Sequence, residues 1–438
     1  MLDWVLDAAR EAGCERLLVV VGHEADRVIE EIGSDEVTWV RQEEQLGTGH
    51  ALAQVHGHVS GDETLLVLSG DVPLVSAETL NTLADEGARG WGAMAIARFD
   101  EPGSLGRVIP RGESELARIV EASDATPEEL QVQLVNAGIY ALPAGSMLER
   151  LAQVQPDNAK GEIYLTDALM AAATDGESVR LVDLPDPSEA LGVNDRADLA
   201  RAHAAVQDRI RDRLLANGAS LLAPATVTVE EGVALGADTV VHESVSLLGA
   251  TRVGKRATIH RGVWLKDVIV EDDVEILPYT VAESCHIHSR CRVGPFARLR
   301  PGTEVGAGSK LGNFIEIKNA KLAEDVKVGH LSYVGDAEIG TDVNIGAGVV
   351  TCNYDGVNKH KTKIGAGSFV GSDTMLVAPV EIGEKSTTGA GSVITQDVPS
   401  GALGVGRSRQ RNIEGWAERI AEMKGKSAPG SDSGKKPR

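Results

Sequence analysis

From residue 223 to residue 394, aliphatic residues recur every six positions. One run is Ala223, Val229, Leu235, Val241, Leu247, Val253, Ile259 and Leu265, and a second is Ile287, Val293, Leu299, Val305, Leu311 and Ile317. Shorter runs give Val328 and Val334, then Ile339 and Ile345; the last is Ile364, Val370, Leu376, Ile382, Thr388 and Ile394. Many are followed directly by glycine. A helix repeats every 3.6 residues and a strand every 2, so neither accounts for one apolar position in six. The pattern is that of hexapeptide β-helix repeats, in which each hexapeptide forms one side of a triangular prism and its aliphatic residue stacks inward on the next coil. Three hexapeptides make a turn, so this stretch amounts to about ten coils. A narrow prism has no room for large rings, which fits five Trp, five Tyr and four Phe against 49 Gly. The ladder breaks at 319–327 and 353–363, and loops leaving a regular solenoid are where function concentrates.

The first half has a different rhythm. An amphipathic helix (Leu2, Val5, Leu6, Ala9) stops at Gly13 and leads into a buried strand, Leu17 to Val21; further strands are expected at 64–69, 93–97 and 135–141. Apolar strands alternating with helical stretches predict a mostly parallel, three-layer α/β sheet, with ligands at the carboxyl ends of strands. The expected organisation is an α/β domain over residues 1–196, a linker helix over 197–217, a β-helix domain over 218–416 and a polar, disordered tail over 417–438. Lys plus Arg number 43 against 65 Asp plus Glu, a net charge of −22, which excludes a general nucleic-acid binder or a basic membrane-surface protein. An anionic ligand therefore needs a local basic pocket. No apolar run reaches the ~18 residues that span a bilayer, and the opening Met1-Leu2-Asp3 lacks signal-peptide character, so a cytoplasmic protein without membrane insertion is expected. Cys14, Cys285, Cys291 and Cys352 show no CxxC spacing and read as ordinary thiols.

The richest chemistry lies at the breaks in the ladder. Residues 18 apart stack on one wall, so Arg300 and Lys318 fall one above the other, an arrangement that suits a phosphate between them or, equally, a solvated charged face. His330 follows Val328-Gly329 just outside the inward position, with Tyr333 three residues on. It is placed to act as a general base or simply as a surface histidine, and Asn344, Asn353 and Tyr354 cluster near it. In the first half, Gln42 precedes Gly47-Thr48-Gly49-His50, either a ligand loop or a plain turn. Asp71 follows a buried strand, where it holds a hard cation such as Mg²⁺ or starts a turn. Asn194 is a possible second oxygen ligand.

Several segments together resemble one family closely: Gln45-LGTGH-Ala51, Ser69-GDVPL-Val75, Gly294-PFARLRPG-Thr303, Gly312-NFIEIKNA-Lys321, Gly329-HLSYVGDAEIG-Thr341 and Asn344-IGAGVVTCNYDG-Val357. This is the bacterial family of bifunctional glucosamine-1-phosphate N-acetyltransferases and N-acetylglucosamine-1-phosphate uridylyltransferases, and the resemblance runs over about residues 1–416. It implies a Rossmann-like nucleotidyltransferase domain, a linker helix and a left-handed β-helix. It implies His330 as the base that deprotonates the sugar amine, and Arg300, Lys318, Tyr333, Asn344 and Lys359 as sugar-phosphate contacts. Acetyl-CoA contacts match Asn353, Tyr354, Ser372, Ala390 and Arg407. For uridylyl transfer from UTP the family's contacts match Gln42, Gly47, Thr48, Gly106, Glu121, Asn136 and Asn194, with Asp71 and Asn194 as Mg²⁺ ligands. Related enzymes are trimers with the acetyl-transfer site between neighbouring prisms, so a homotrimer is expected.

The chain departs from that family at its start. Members begin with a strand and a glycine-rich loop of the type LAAGxGTRM, whereas this sequence opens at the helix that follows. The resemblance thus implies a first strand and phosphate-cradling loop outside this sequence, as in a fragment or a displaced start, or else a variant that has kept acetyl transfer alone. Ser69 and Leu105 stand where the family usually has Tyr. Two other readings are a non-catalytic β-helix scaffold and a nucleotidyltransferase for another sugar phosphate; the first makes no demand for Lys318, His330 and Tyr333 together, and the Asn353-Tyr354 loop argues against the second.

Overall fold

The computed structural model describes residues 1–33, 35–103, 105–122, 124–155 and 161–426. They form two compact units, Met1–Asp208 and the chain from Arg209 onward. A single 21-residue helix, Arg196–Ala216, occupies the segment read as a linker.

In the first unit the strands are β1 (Leu17–Val21), β2 (Val37–Arg41), β3 (Thr64–Val67), β4 (Gly92–Arg98), β5 (Arg107–Arg111), β6 (Glu115–Val120), β7 (Leu134–Pro143) and β8 (Val179–Asp183). Six of them make one sheet in the order β3-β7-β4-β8-β6-β5, while β1 and β2 pair separately and in parallel. Alternate residues of β4 enter opposite cores. Met94 and Ile96 join Tyr140, Leu142 and Leu169 on one face, and Ala93, Ala95 and Ala97 join Val135, Ile139 and Leu80 on the other. Burial on both faces is what a three-layer α/β unit requires.

Two features differ from the sequence reading. The large sheet is mixed, because β7 runs antiparallel to both β3 and β4. In the chain the antiparallel hairpin β5–β6 lies between β4 and β7, and β7 pairs antiparallel with β5 as β6 does, so it runs in the direction of β6 and against β3 and β4. The second difference is that Leu17–Val20 are half-buried, as are Leu65, Leu66 and Val67. Both stretches line one cavity of about 1360 Å³. Among the described residues, β1 pairs only with β2 and β3 only with β7, so each leaves one edge toward that space.

The second unit is a three-sided parallel β-helix whose walls hold 11, 10 and 9 strands. The inward positions follow the hexapeptide count and then fill its gaps. Val253 pairs with Val270, Ile259 with Ile276, Leu265 with Ala282, and Val305 with Leu322. Several coils are thus 17 residues long instead of 18, and one lost residue shifts the phase of any count in sixes. The stretch 319–327 is consequently an ordinary coil carrying Lys321–Leu322. Only 353–361 leaves the wall, between strands Val350–Cys352 and Thr362–Ile364. At the start, Ala223 caps a short helical turn and is half-buried; Leu221 opens the ladder instead, in register with Val241.

Residues 416–426 form a helix, Trp416–Lys426, where the sequence reading began a disordered tail. Its WAERIAEMKGK is largely made of good helix formers. Residues 427–438 of that tail lie outside the described residues.

The rung beneath Lys318 tests the ladder. Ile317 is fully buried, so Ile317→Ala should cost about 2–5 kcal/mol through lost burial and a cavity. Urea unfolding should show this as a fall in midpoint; an unchanged midpoint contradicts a packed ladder at this position.

Candidate functional sites

In the β-helix, strand register brings the candidate cations together. Leu299 pairs with Ile317 and Lys318 with Gly335, which stacks Arg300, Lys318 and Gly335 at the end of the second wall. Arg300 is steadied by Glu316, Nη1 to Oε1 at 2.8 Å. Lys318 meets Lys359, and this contact, followed by burial and the Arg300 charge, holds its ammonium below the usual 10.5, with Asp336 opposing. Three cations converging on one point favour an anion there. A Cβ at residue 335 would collide with the Tyr333 hydroxyl, so glycine at this place lets the Tyr333 ring lie against the same wall end.

Lys359 reaches this point because 353–360 folds back as a hairpin. Tyr354 and Lys359 form an antiparallel bridge, and the His360 amide donates to the Asn353 carbonyl at 2.8 Å. Asp355 sits inside the turn, accepting from the Val357 and Asn358 amides and from His360 Nε2. Those donors, Asn358 first, hold its carboxyl far below the usual range. The buried Asn353 donates to Asp336 Oδ2, and Asn319 donates to Asp336 Oδ1, each at 2.5 Å. Asp336 thus ties the hairpin base to the coil carrying Lys318.

His330 lies at the other end of the second wall, at its corner with the first. Its Nδ1 is 2.5 Å from Asn313 Oδ1, one coil away. An amide oxygen only accepts, so in the neutral imidazole the proton sits on Nδ1 and Nε2 keeps its lone pair. The side chain is exposed, with Nε2 available to a substrate. Along the first wall Val328 pairs with Ile345, Ile345 with Val370, Val370 with Thr388, and Thr388 with Gly404. Two residues past each rung stand Asn313, His330, Ala347, Ser372, Ala390 and Gly406 in one column, with the Arg407 stem 4.0 Å from a Cβ built at Gly391. Asn344 pairs with Lys327 and Phe369 at the opposite end of this wall and is not grouped with the cations.

In the first unit the glycine loop is stitched to the segment before helix Leu165–Thr174. Gly49 N donates to Ile163 O at 2.8 Å, and Leu165 N donates to Thr48 Oγ1 at 3.2 Å. Gly47 has φ 108° and a Cβ there would lie 2.6 Å from Ile163 O, so packing alone already demands a glycine. Gln42 is buried and donates to Gly47 O at 3.3 Å. Asn136 accepts from the Gly138 amide and donates to the Tyr140 hydroxyl at 2.7 Å, while its own amide donates to Gly106 O. Burial pushes Tyr140 up to about 12. Thr48, Glu121 and Asn136 all line the 1360 Å³ cavity. Asp71 and Asn194 are brought side by side, since Val193 N donates to Asp71 O at 2.9 Å. Both are exposed oxygen donors, a set that suits a Mg²⁺ ion, which retains water and takes one or two protein ligands beside phosphates.

Sequence reasoning missed Asn313 and Asp336. Each lies 17 residues from its partner, His330 in one case and Asn319 or Asn353 in the other, so stepping by one coil from the candidates already chosen was the available signal.

A nucleotide-handling α/β unit followed by a hexapeptide prism defines a class, the sugar-phosphate nucleotidyltransferases with a β-helix domain. Residues 1–162 match the MobA-like NTP transferase domain family, and residues 361–396 match the bacterial transferase hexapeptide (six repeats) family, whose prisms coil left-handed. The chain is 44% identical over 417 residues to the bifunctional protein GlmU of Marinobacter nauticus, covering 95% of this chain and 92% of that protein. It is 42% identical over 424 residues to bifunctional protein GlmU of Pelobacter propionicus, covering 96% and 92%. The chain belongs to the GlmU family.

The cation cluster carries a sign that is open to test. Like charges push the Lys318 ammonium down, so removing its nearest one in Lys359→Ala should raise the Lys318 pKa toward 10.5. Anion binding should fall in the parent at lower pH than in a protein whose lysine titrates normally. Lysine-resolved NMR titration of both proteins reads this directly, and an unmoved or lowered Lys318 contradicts the cluster.

Proposed function

We propose that this chain transfers an acetyl group from acetyl-CoA to glucosamine-1-phosphate, and a uridylyl group from UTP to the resulting N-acetylglucosamine-1-phosphate, giving UDP-N-acetylglucosamine. The observation that carries this reading is the register column that sets His330, oriented by Asn313, in line with Ser372 and Ala390. The wall end with Arg300, Lys318 and Lys359 supplies the matching anion site.

For acetyl transfer, the sugar phosphate is held by Arg300, Lys318 and Lys359, with Tyr333 and Asn344 as further sugar contacts. His330 Nε2 takes a proton from the amine as its nitrogen bonds to the thioester carbonyl carbon; the C–S bond then breaks and CoA leaves as the thiol. The coenzyme lies along the column, touching Asn353, Tyr354, Ser372, Ala390 and Arg407. Proton transfer of this kind contributes about 10²–10⁴-fold.

For uridylyl transfer, Gln42, Gly47, Thr48, Gly106, Glu121 and Asn136 bind the nucleotide and sugar at the cavity that Thr48, Glu121 and Asn136 line. Asp71 and Asn194 are the residues that would hold Mg²⁺, which supplies charge neutralisation at the UTP phosphates. The sugar phosphate oxygen attacks the α-phosphorus and pyrophosphate departs, with the protein acting mainly by positioning and screening.

One prism presents the anion site and His330 at opposite ends of the same wall, which suits a site shared between copies. Beside the His330 column runs an exposed apolar ridge, Tyr279, Phe296 and Phe314 stacked at 5.3 Å intervals and continued by Leu331. Such a ridge favours burial against another copy, and a homotrimer is the assembly this reading adopts. The reading places the enzyme in the cytoplasm, consistent with four free cysteines.

The base assignment is checked by following loss of thioester absorbance with glucosamine-1-phosphate and acetyl-CoA. His330→Ala should lower kcat by about 10²–10⁴-fold with little change in sugar-phosphate affinity. Asn313→Ala should give a smaller loss. Parent-like turnover in His330→Ala sinks the assignment.

A further inference from the structure

The third wall carries a group of side chains that neither proposed reaction uses. Ile269, His286 and Glu304 pair in sequence across three successive coils, and Glu271 stands one coil from His288. His286 Nε2 lies 3.1 Å and His288 Nδ1 2.9 Å from the same oxygen, Glu271 Oε1. The two imidazole rings stack with centroids 4.0 Å apart, and the three ligand-type atoms all lie within 4.8 Å of one another.

The surroundings orient this trio as a ligand set is oriented. The other carboxylate oxygen, Glu271 Oε2, accepts from the Ser289 hydroxyl at 2.7 Å and the Ser289 amide at 3.0 Å, which turns Oε1 toward the two rings. On the far side of its ring, His288 Nε2 lies 3.3 Å from Glu304 Oε1. A carboxylate behind a histidine is the usual outer partner of a metal-bound imidazole, fixing the tautomer that leaves the inner nitrogen free to coordinate.

His288 faces a carboxylate oxygen at each ring nitrogen, Glu271 Oε1 at Nδ1 and Glu304 Oε1 at Nε2; an imidazolium satisfies both, and so does a metal ion at Nδ1 with the proton on Nε2. Ligand bonds of about 2.0–2.2 Å at near-tetrahedral or octahedral angles give ligand–ligand spacings of about 3.0–3.4 Å, close to the two N···O spacings of 3.1 and 2.9 Å.

We propose that Glu271, His286 and His288 bind a divalent first-row transition-metal ion of the zinc type, with Glu304 orienting His288 and water completing the shell. Two imidazoles and one carboxylate suit such an ion and not Mg²⁺. The ion joins adjacent coils and, through Glu304, a third, so it acts as a clip on the prism remote in sequence from His330.

The test uses Co²⁺ as a spectroscopic probe on the full chain in excess Mg²⁺, with Zn²⁺ in competition. The parent should bind one equivalent with visible d–d absorption that Zn²⁺ displaces. His286→Ala/His288→Ala should lose this absorption, and Glu304→Gln should weaken affinity about tenfold or more, while acetyl transfer in these variants shows that they are folded. Zn²⁺ should raise the Tm of the parent and leave that of the double variant unchanged. A histidine outside the trio, His242, stacks on His260 and serves as the control; Co²⁺ binding that is absent from the parent, that survives in the double variant, or that is lost instead in His242→Ala overturns the proposal.

Discussion

The second unit rests on one interaction, the stacking of aliphatic side chains inside the prism. Leu247, Leu265, Ile287, Leu299, Ile317, Val334 and Ile345 are buried almost completely, and each touches its counterpart one coil above and below. Close packing of this kind leaves little slack, so a wall residue has a fixed height and a fixed outward neighbour. The proposed acetyl-transfer site inherits its geometry from that constraint. Asn313 under His330 and Arg300 under Lys318 are consequences of which rungs pair.

Charge acts on this frame locally. The whole chain carries −22, which repels phosphates at long range, yet Arg300, Lys318 and Lys359 converge, and their charges hold Lys318 below its usual pKa. On the proposed function, binding phosphorylated substrates in an acidic protein depends on a few placed cations. The hairpin 353–360 delivers one of them, and Asp336 with Asn353 holds the hairpin down.

Much of this was legible in the sequence, and the limits have physical causes. The hexapeptide spacing exposed the prism because each rung is a separate aliphatic residue, but coils of 17 residues shifted the phase and hid Val270, Ile276, Ala282 and Leu322. The same shift concealed Asn313 and Asp336, which a step of one coil would have reached. Arg300 and Lys318, 18 apart, were visible as a pair. Lys359 joins them only through a hairpin whose fold depends on Asp355, and no period predicts that. In the first unit, apolar runs found β1, β3, β4 and β7 but missed β2, β5, β6 and β8, and with them the β5–β6 hairpin that precedes β7 and accounts for its direction. Nor did apolar character reveal that β1 and β3 would border a cavity.

Acetyl transfer as proposed requires coil register to align a base, a coenzyme track and an anion site. A crystal structure of the chain with coenzyme A and glucosamine-1-phosphate should show the sugar phosphate on Arg300, Lys318 and Lys359, its amine beside Nε2 of a His330, and the coenzyme thiol on the column with Ser372 and Ala390. A coenzyme bound away from that column, or a sugar amine out of reach of every His330 in the assembly, would contradict it.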